Sequence, residues 1–153
     1  MMRAEEIKAQ LVEACTAEID QRIQRIQERL DTITDSRNNA TKSSVGDKYE
    51  TSRAMMQIEE EKSKRQLAEA QEVKLNLLRL DWNKKYEKAL PGSLVQTNKG
   101  SYFISIGLGR VRLNKQLYLC VSNSSPVGKV LWGKQVGAQF SFNGQQFEVL
   151  DIN

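Results

Sequence analysis

Ile19, Ile23, Ile26, Leu30 and Ile33 recur at spacings of 4, 3, 4 and 3, and the residues between them are mostly Gln, Arg, Glu and Asp. That alternation is the seam of a coiled coil. Val12 carries the seam back by one heptad from Ile19. The pattern predicts a helix from about Arg3 to about Asp35, with Ser36-Arg37-Asn38-Asn39 as its stop. A second helix is predicted from about Asp47 to about Lys88, with Ala54, Met55, Ile58, Leu67, Ala70, Val73, Leu77, Leu78 and Leu80 among its apolar positions. Its middle, Glu59 to Arg65, is polar throughout. That stretch depends on helix propensity and on i,i+4 pairs such as Glu60–Lys64 and Glu61–Arg65. Two helices of similar length with a short connection predict an intramolecular antiparallel hairpin, and hence a monomer, over a homodimeric coiled coil. At 1.5 Å per residue, about 35 residues make a rod of roughly 50 Å.

The end of the second helix is apolar and aromatic, with Leu75, Leu77, Leu78, Leu80, Trp82, Tyr86 and Leu90, and Pro91-Gly92 breaks it. After Gly92 the pattern changes to strands. Leu94–Thr97 and Tyr102–Ile106 flank Asn98-Lys99-Gly100, Leu117–Val121 is another strand, and Gln139–Phe142 and Gln146–Ile152 flank the hairpin signal Asn143-Gly144. Ser125-Pro126 opens one short helix, with Ser as N-cap, Pro at the first helical position and Gly133 as the stop. The expected fold is α+β: a coiled-coil hairpin over residues 1–90 with an acidic tip near 36–50, then a small antiparallel β domain over 91–153 with one short helix.

Composition refines this. A hydrophobic fraction of 39% in 153 residues is a lean core, which suits an elongated helical part. The chain has no His, which excludes imidazole base chemistry and His metal ligands. Cys15 and Cys120 lie far apart with no C-x-x-C spacing and read as reduced, buried thiols. No signal peptide is expected from Met1-Met2-Arg3-Ala4-Glu5-Glu6, and no apolar run approaches a membrane span. A cytoplasmic protein without membrane contact is expected. The net charge of +4 belongs to the C-terminal part, where Lys99, Arg110, Arg112, Lys115, Lys129 and Lys134 outnumber Glu148 and Asp151. Such a basic domain fits either a nucleic acid or acidic partner, or a solvated surface.

The candidate chemistry is a D-x-x-E pair, Asp47 and Glu50, in the loop Ser43-Ser44-Val45-Gly46-Asp47-Lys48-Tyr49-Glu50 between the two helical patterns. From spacing alone the pair reads as a capping box whose acids oppose the helix dipole. It also reads as two carboxylates carried at the end of a rod. Arg22, Arg25 and Arg29 share a face of the first helix at i, i+3 and i+7, interleaved with Glu18, Glu28 and Asp31. Met55 and Met56 fit seam packing or an adaptable contact.

The run Ser122-Asn-Ser-Ser-Pro-Val-Gly-Lys-Val-Leu-Trp-Gly-Lys-Gln-Val-Gly137 resembles the C-terminal signature of Gre-type transcription elongation factors, the transcript cleavage factors of bacteria. In that family an S-P-[IV]-G-x-[AV]-L-x-G-K-x-x-G run precedes two closing strands, a long antiparallel coiled coil precedes that domain, and G-D-x-x-E-N lies near the coiled-coil tip. Here the tip reads Gly46-Asp47-Lys48-Tyr49-Glu50-Thr51, with Thr51 in place of Asn, and Ser52-Arg53-Ala54-Met55-Met56 in place of an acidic, tyrosine-containing stretch. The resemblance implies an FKBP-like C-terminal domain, which does not bring prolyl isomerase activity with it. It implies a partner, bacterial RNA polymerase, whose secondary channel receives the rod, and contact with the 3′ end of the transcript. It implies that Asp47 and Glu50 help hold a second Mg²⁺ shared with the polymerase active site, so that the partner's own RNA cleavage is stimulated; the chain would be no stand-alone enzyme. Ser125, Pro126, Val127, Gly128, Trp132 and Gly133 are implied as polymerase-binding, and Arg22, Arg25 and Arg29 as RNA-contacting. Trp132 is expected to be protected in core or interface packing. The departures from Thr51 onward keep open a non-cleaving regulator of the same channel, and the seam keeps open a coiled-coil adaptor.

Overall fold

In the computed structural model, helix α1 runs Ala4–Lys42 and helix α2 runs Gly46–Leu78. The structure describes the backbone of residues 2–42 and 46–153 and the side chains of residues 2–39 and 50–153. The chain divides into two compact units, Ile19–Lys74 and Met1–Glu18 with Leu75–Asn153. None of the described helices is long and apolar enough to cross a membrane.

In the first unit α1 and α2 pack together. Ile19, Ile26 and Leu30 are buried and Ile23 and Ile33 half-buried, as the α1 periodicity predicts. The next seam position is Arg37, so α1 passes through the predicted stop at Ser36–Asn39 instead of ending at Asp35. Weak helix formers are overridden there by a tertiary contact, because Arg37 Nη1 reaches Glu60 Oε2. On α2 the positions Met56, Glu60, Ser63, Leu67, Ala70 and Lys74, spaced 4, 3, 4, 3 and 4, are buried or half-buried, as are Gln66, Val73 and Leu77 beside them. The predicted apolar positions Ala54, Met55 and Ile58 are exposed instead. Three polar residues occupy seam positions because each can be satisfied there. Glu60 is 6% exposed and bonds both Arg37 and Lys64, the latter at 2.9 Å. Lys74 Nζ meets Asp20 at 2.5 Å. Partner numbers on α2 fall as numbers on α1 rise: Asp20 with Lys74, Arg29 with Gln66, Arg37 with Glu60.

The second unit is built on a six-stranded sheet. Its strands are β1 (Leu94–Thr97), β2 (Gly100–Ile104), β3 (Gly109–Leu113), β4 (Gln116–Val121), β5 (Gln139–Phe142) and β6 (Gln145–Ile152), in the order β3-β4-β2-β1-β6-β5. The sheet is mixed, a correction to the antiparallel expectation, because β4 inserts beside β2 and runs parallel to it. The unpredicted strand β3 makes this possible. Arg110 and Arg112 alternate with Val111 on an outer strand, and Asn114 and Lys115 both take positive φ, 47° and 68°, in a tight turn to β4. The Asn143-Gly144 hairpin forms as predicted, with φ of 51° and 73°.

Strand alternation divides the core. On one face Val95, Tyr102, Ile104, Phe147, Val149 and Ile152 cluster with Leu131 of the short helix α3 (Pro126–Leu131) and with Tyr86 and Ala89. Phe103 and Cys120, paired across β2 and β4, point to the other face, where Cys15 of α1 meets Cys120. The predicted extension of α2 to Lys88 is corrected: the helix ends at Leu78, and Lys88 and Ala89 pair with another segment of the sheet unit instead. Lys88 forms a bridge with Gln135, and Ala89 exchanges backbone hydrogen bonds of 2.9 Å with Lys134 and Gly133. Gly92 closes this segment at φ 99°, where a Cβ would lie 2.4 Å from Asp81 O. The seam also differs at the base of α1. Leu11 and Cys15 are fully buried there, and Val12 is only half-buried.

Lys8 is buried beside this segment. Its Nζ donates to Lys84 O at 2.8 Å and lies 5.1 Å from the Tyr86 ring centre. Burial pulls the ammonium down to about 8, against the opposing pull of Asp81 and Glu5. The folded chain therefore releases this proton near pH 8, while the unfolded chain holds it to about pH 10.4, so stability from this residue rises with pH between those values. Wild type should gain on the order of 1–2 kcal/mol relative to Lys8→Met between pH 8 and 10, after discount for solvent screening, in urea unfolding curves.

Candidate functional site

Three sets of residues carry the expected chemistry. At the start of α2, Glu50 is exposed. The side chain of Asp47 lies outside the described residues, as do residues 43–45 of the preceding loop. Helix α2 begins at Gly46, which places Asp47 in its first turn. Beyond the pair, Met55 and Ile58 are each 64% exposed, an apolar surface further along α2.

The second set is the arginine stripe. Arg22, Arg25 and Arg29 do come together. With Ile26, Gln66, Glu69, Ala70 and Val73 they line a shallow groove of about 400 Å³ in the helical unit. Buried Ile26 and Ala70 form its apolar floor, and Arg29 Nη1 donates to Gln66 Oε1 at 3.3 Å. The neighbouring acids have other engagements: Glu28 accepts from Gln24 and Asp31 from Gln27. The groove thus gathers three guanidinium groups and one carboxylate, an arrangement suited to a phosphate-bearing strand more than to a compact neutral ligand. Sequence spacing gave the three arginines. It could not give Gln66, Glu69 and Val73, which α2 supplies from across the seam.

The third set is the run from Ser125 to Gly133. Ser125 caps α3: its Oγ accepts from Gly128 N–H at 3.1 Å and donates to Ser122 O at 2.7 Å. Pro126 occupies the first helical position. A Cβ on Gly128 would lie 2.0 Å from Ser122 O, so only glycine lets the Ser122 carbonyl approach the helix. Leu131 is fully buried in the sheet core and Val127 packs against it. Gly133 turns the chain at φ 75°. Most of the run is therefore accounted for by folding. Pro126 and Trp132 remain on the surface. Trp132 is 51% exposed, which corrects the core half of the expectation that it is protected in core or interface packing. Its place follows Leu131, and only one of two consecutive residues at a helix end can face the core.

The sheet unit also holds a larger groove of about 610 Å³, between Met2, Ala4 and Ile7 of the N-terminal segment and sheet residues that include Gln96, Ser101 and Tyr118. Asp151 is its one ionisable acid or base apart from Tyr118, so it presents no convergent catalytic groups. Among the described residues no group of three or more Cys, Asp or Glu side chains is placed to hold a metal ion. No family model, curated protein or solved structure matches the chain.

The division between buried and exposed motif residues has a measurable consequence. Gly128→Ala should cost about 1–3 kcal/mol in chemical denaturation, because overpacking must displace the Ser122 carbonyl. Trp132→Ala should stay within about 0.5 kcal/mol of wild type, since its surface is half in water already. Equal losses for both would place Trp132 in the core.

Proposed function

We propose that this chain is a cytoplasmic accessory factor of bacterial RNA polymerase, related to the Gre-type factors, that rescues backtracked complexes by stimulating the polymerase's own transcript cleavage. The observation that carries the reading is the Gly46-Asp47-Lys48-Tyr49-Glu50 sequence at the start of α2, in a chain that also has the Ser125–Gly133 run. The falling partner numbers between α1 and α2 support an antiparallel hairpin with that sequence at its turn. An FKBP-like fold for the sheet unit belongs to the same reading.

Each set of residues then has a task. Pro126 and Trp132 offer exposed apolar surface to the polymerase, while Ser125, Val127, Gly128 and Gly133 hold that surface in shape. Arg22, Arg25 and Arg29 attract the phosphates of the transcript 3′ segment. Asp47 and Glu50 supply hard carboxylate oxygens, a donor set that fits Mg²⁺ when a partner provides the remaining ligands. A Mg²⁺ ion shared with the polymerase would activate water and stabilise charge on the scissile phosphate. The chain itself contributes position and negative charge, and is no nuclease on its own.

A second reading has a specific observation in its favour. Thr51 stands where the Gre-type factors carry Asn, Ser52–Met56 stands where they carry an acidic stretch, and within and just beyond that stretch Met55 and Ile58 are exposed. That apolar surface suits a factor that occupies the channel and regulates the polymerase without cleavage.

Asp47→Asn with Glu50→Gln should abolish stimulated cleavage of backtracked complexes while polymerase binding persists and stability falls by no more than about 1 kcal/mol. Cleavage that survives the double substitution refutes the two-carboxylate mechanism. Wild type that never stimulates cleavage yet competes with a channel-binding factor selects the second reading. A chain that fails to bind purified polymerase overturns both.

A further inference from the structure

Cys15 and Cys120 are the only cysteines in the chain and lie more than a hundred residues apart in sequence. The fold brings them together within the sheet unit. Both are free and essentially without solvent exposure, and each is close enough to shift the other's ionisation. Ser105 completes the cluster, with its Oγ 4.0 Å from Cys15 Sγ. The backbone fixes this meeting point. Ser105 N–H donates to Val121 O at 2.8 Å, one residue past Cys120, and Phe103 is the register partner of Cys120. Cysteines that serve only as small apolar fillers have no reason to converge from a helix and a strand.

The two thiols are also unequal. The neighbouring Cys120 thiol holds the Cys15 thiol below its ordinary value, with Ser105 adding to the effect against burial. Cys120, beside Cys15 and buried, is pushed up. Cys15 is therefore the sulfur that ionises first, and Cys120 is the one that follows.

We propose that Cys15 and Cys120 form a redox pair that closes to an intrachain disulfide between α1 and β4 when a peroxide reaches it. In the first step the Cys15 thiolate attacks one peroxide oxygen; the S–O bond forms, the O–O bond breaks, and hydroxide leaves and takes up a proton to give water. In the second step the Cys120 sulfur, on losing its proton, attacks the Cys15 sulfenic sulfur. The S–S bond forms, the S–O bond breaks, and a second water leaves with the proton released by Cys120. Two electrons pass from the two sulfurs to one peroxide. The product ties the first helix to the fourth strand and closes a long loop, which restricts the unfolded chain. This inference does not rest on the polymerase reading.

The test treats the full chain with hydrogen peroxide, then alkylates under denaturing conditions and maps peptides by mass spectrometry. Wild type should give a peptide pair joined through Cys15 and Cys120, with both thiols lost to alkylation together and both restored by dithiothreitol. The oxidised protein should unfold at higher urea than the reduced one. Cys15→Ala and Cys120→Ala should give no joined peptide, and the lone thiol in each sets the time needed for peroxide to reach the cluster. The proposal is overturned if the wild-type thiols stay alkylatable, if they become separate sulfinic acids, or if no joined peptide forms by the time that either lone thiol has reacted.

Discussion

The Glu60 carboxylate, held between Arg37 and Lys64 in the helical seam, is the constraint on which the helical unit depends. A carboxylate at a buried position is tolerated only with its partners in place, and loss of either leaves charge without compensation. The ammonium of Lys64, with Arg37 beside it, holds the Glu60 carboxyl below the ordinary range despite its burial. Sliding α2 along α1 would strand that charge among isoleucines. Pairing Glu60 with Arg37 thus selects one register from those that the apolar seam alone would allow, as polar residues at seam positions do in coiled coils.

Register then determines what the surface can do. With Glu60 opposite Arg37, Gln66 falls beside Arg29 and Lys74 beside Asp20. The arginine stripe of α1 is thereby completed into a groove by Gln66, Glu69 and Val73 of α2. The same register turns Met55 and Ile58 outward. An apolar exposed face near the start of α2 is a consequence of which residues the seam could accept, and it is where the cleaving and non-cleaving readings part.

The sheet unit follows a different logic. Its central strands are covered on both faces, so β1 reads as continuous apolar residues at Leu94 and Val95 and β2 at Tyr102, Phe103 and Ile104. One face takes α3, and the segment from Tyr86 to Ala89 joins it. The other receives Cys15, which is how the two thiols and Ser105 come to share one buried cluster. Gly128 and Ser125 shape the turn that delivers Leu131 to the core, and in doing so they leave Trp132 outside it.

The α1 seam, the Ser125-Pro126 helix start, the Asn143-Gly144 hairpin and most strand positions were legible in the sequence, because each rests on local chemistry: side-chain period, caps and turns that permit positive φ. The spacing of Arg22, Arg25 and Arg29 was legible for the same reason. On α2 the apolar positions Leu67, Ala70, Val73 and Leu77 were legible too, but the polar seam positions were not, since Glu60, Ser63 and Lys74 read as solvent-facing until Arg37 and Asp20 stand opposite them. Strand β3 and the parallel pairing of β2 with β4 were hidden because an arginine-rich outer strand that follows Gly107 and Gly109 and ends at Asn114-Lys115 resembles a loop. The early end of α2 at Leu78, the exposure of Trp132 and the meeting of Cys15 with Cys120 were likewise decided by tertiary structure. Each depends on a partner distant in sequence, and sequence period records only what neighbouring residues do.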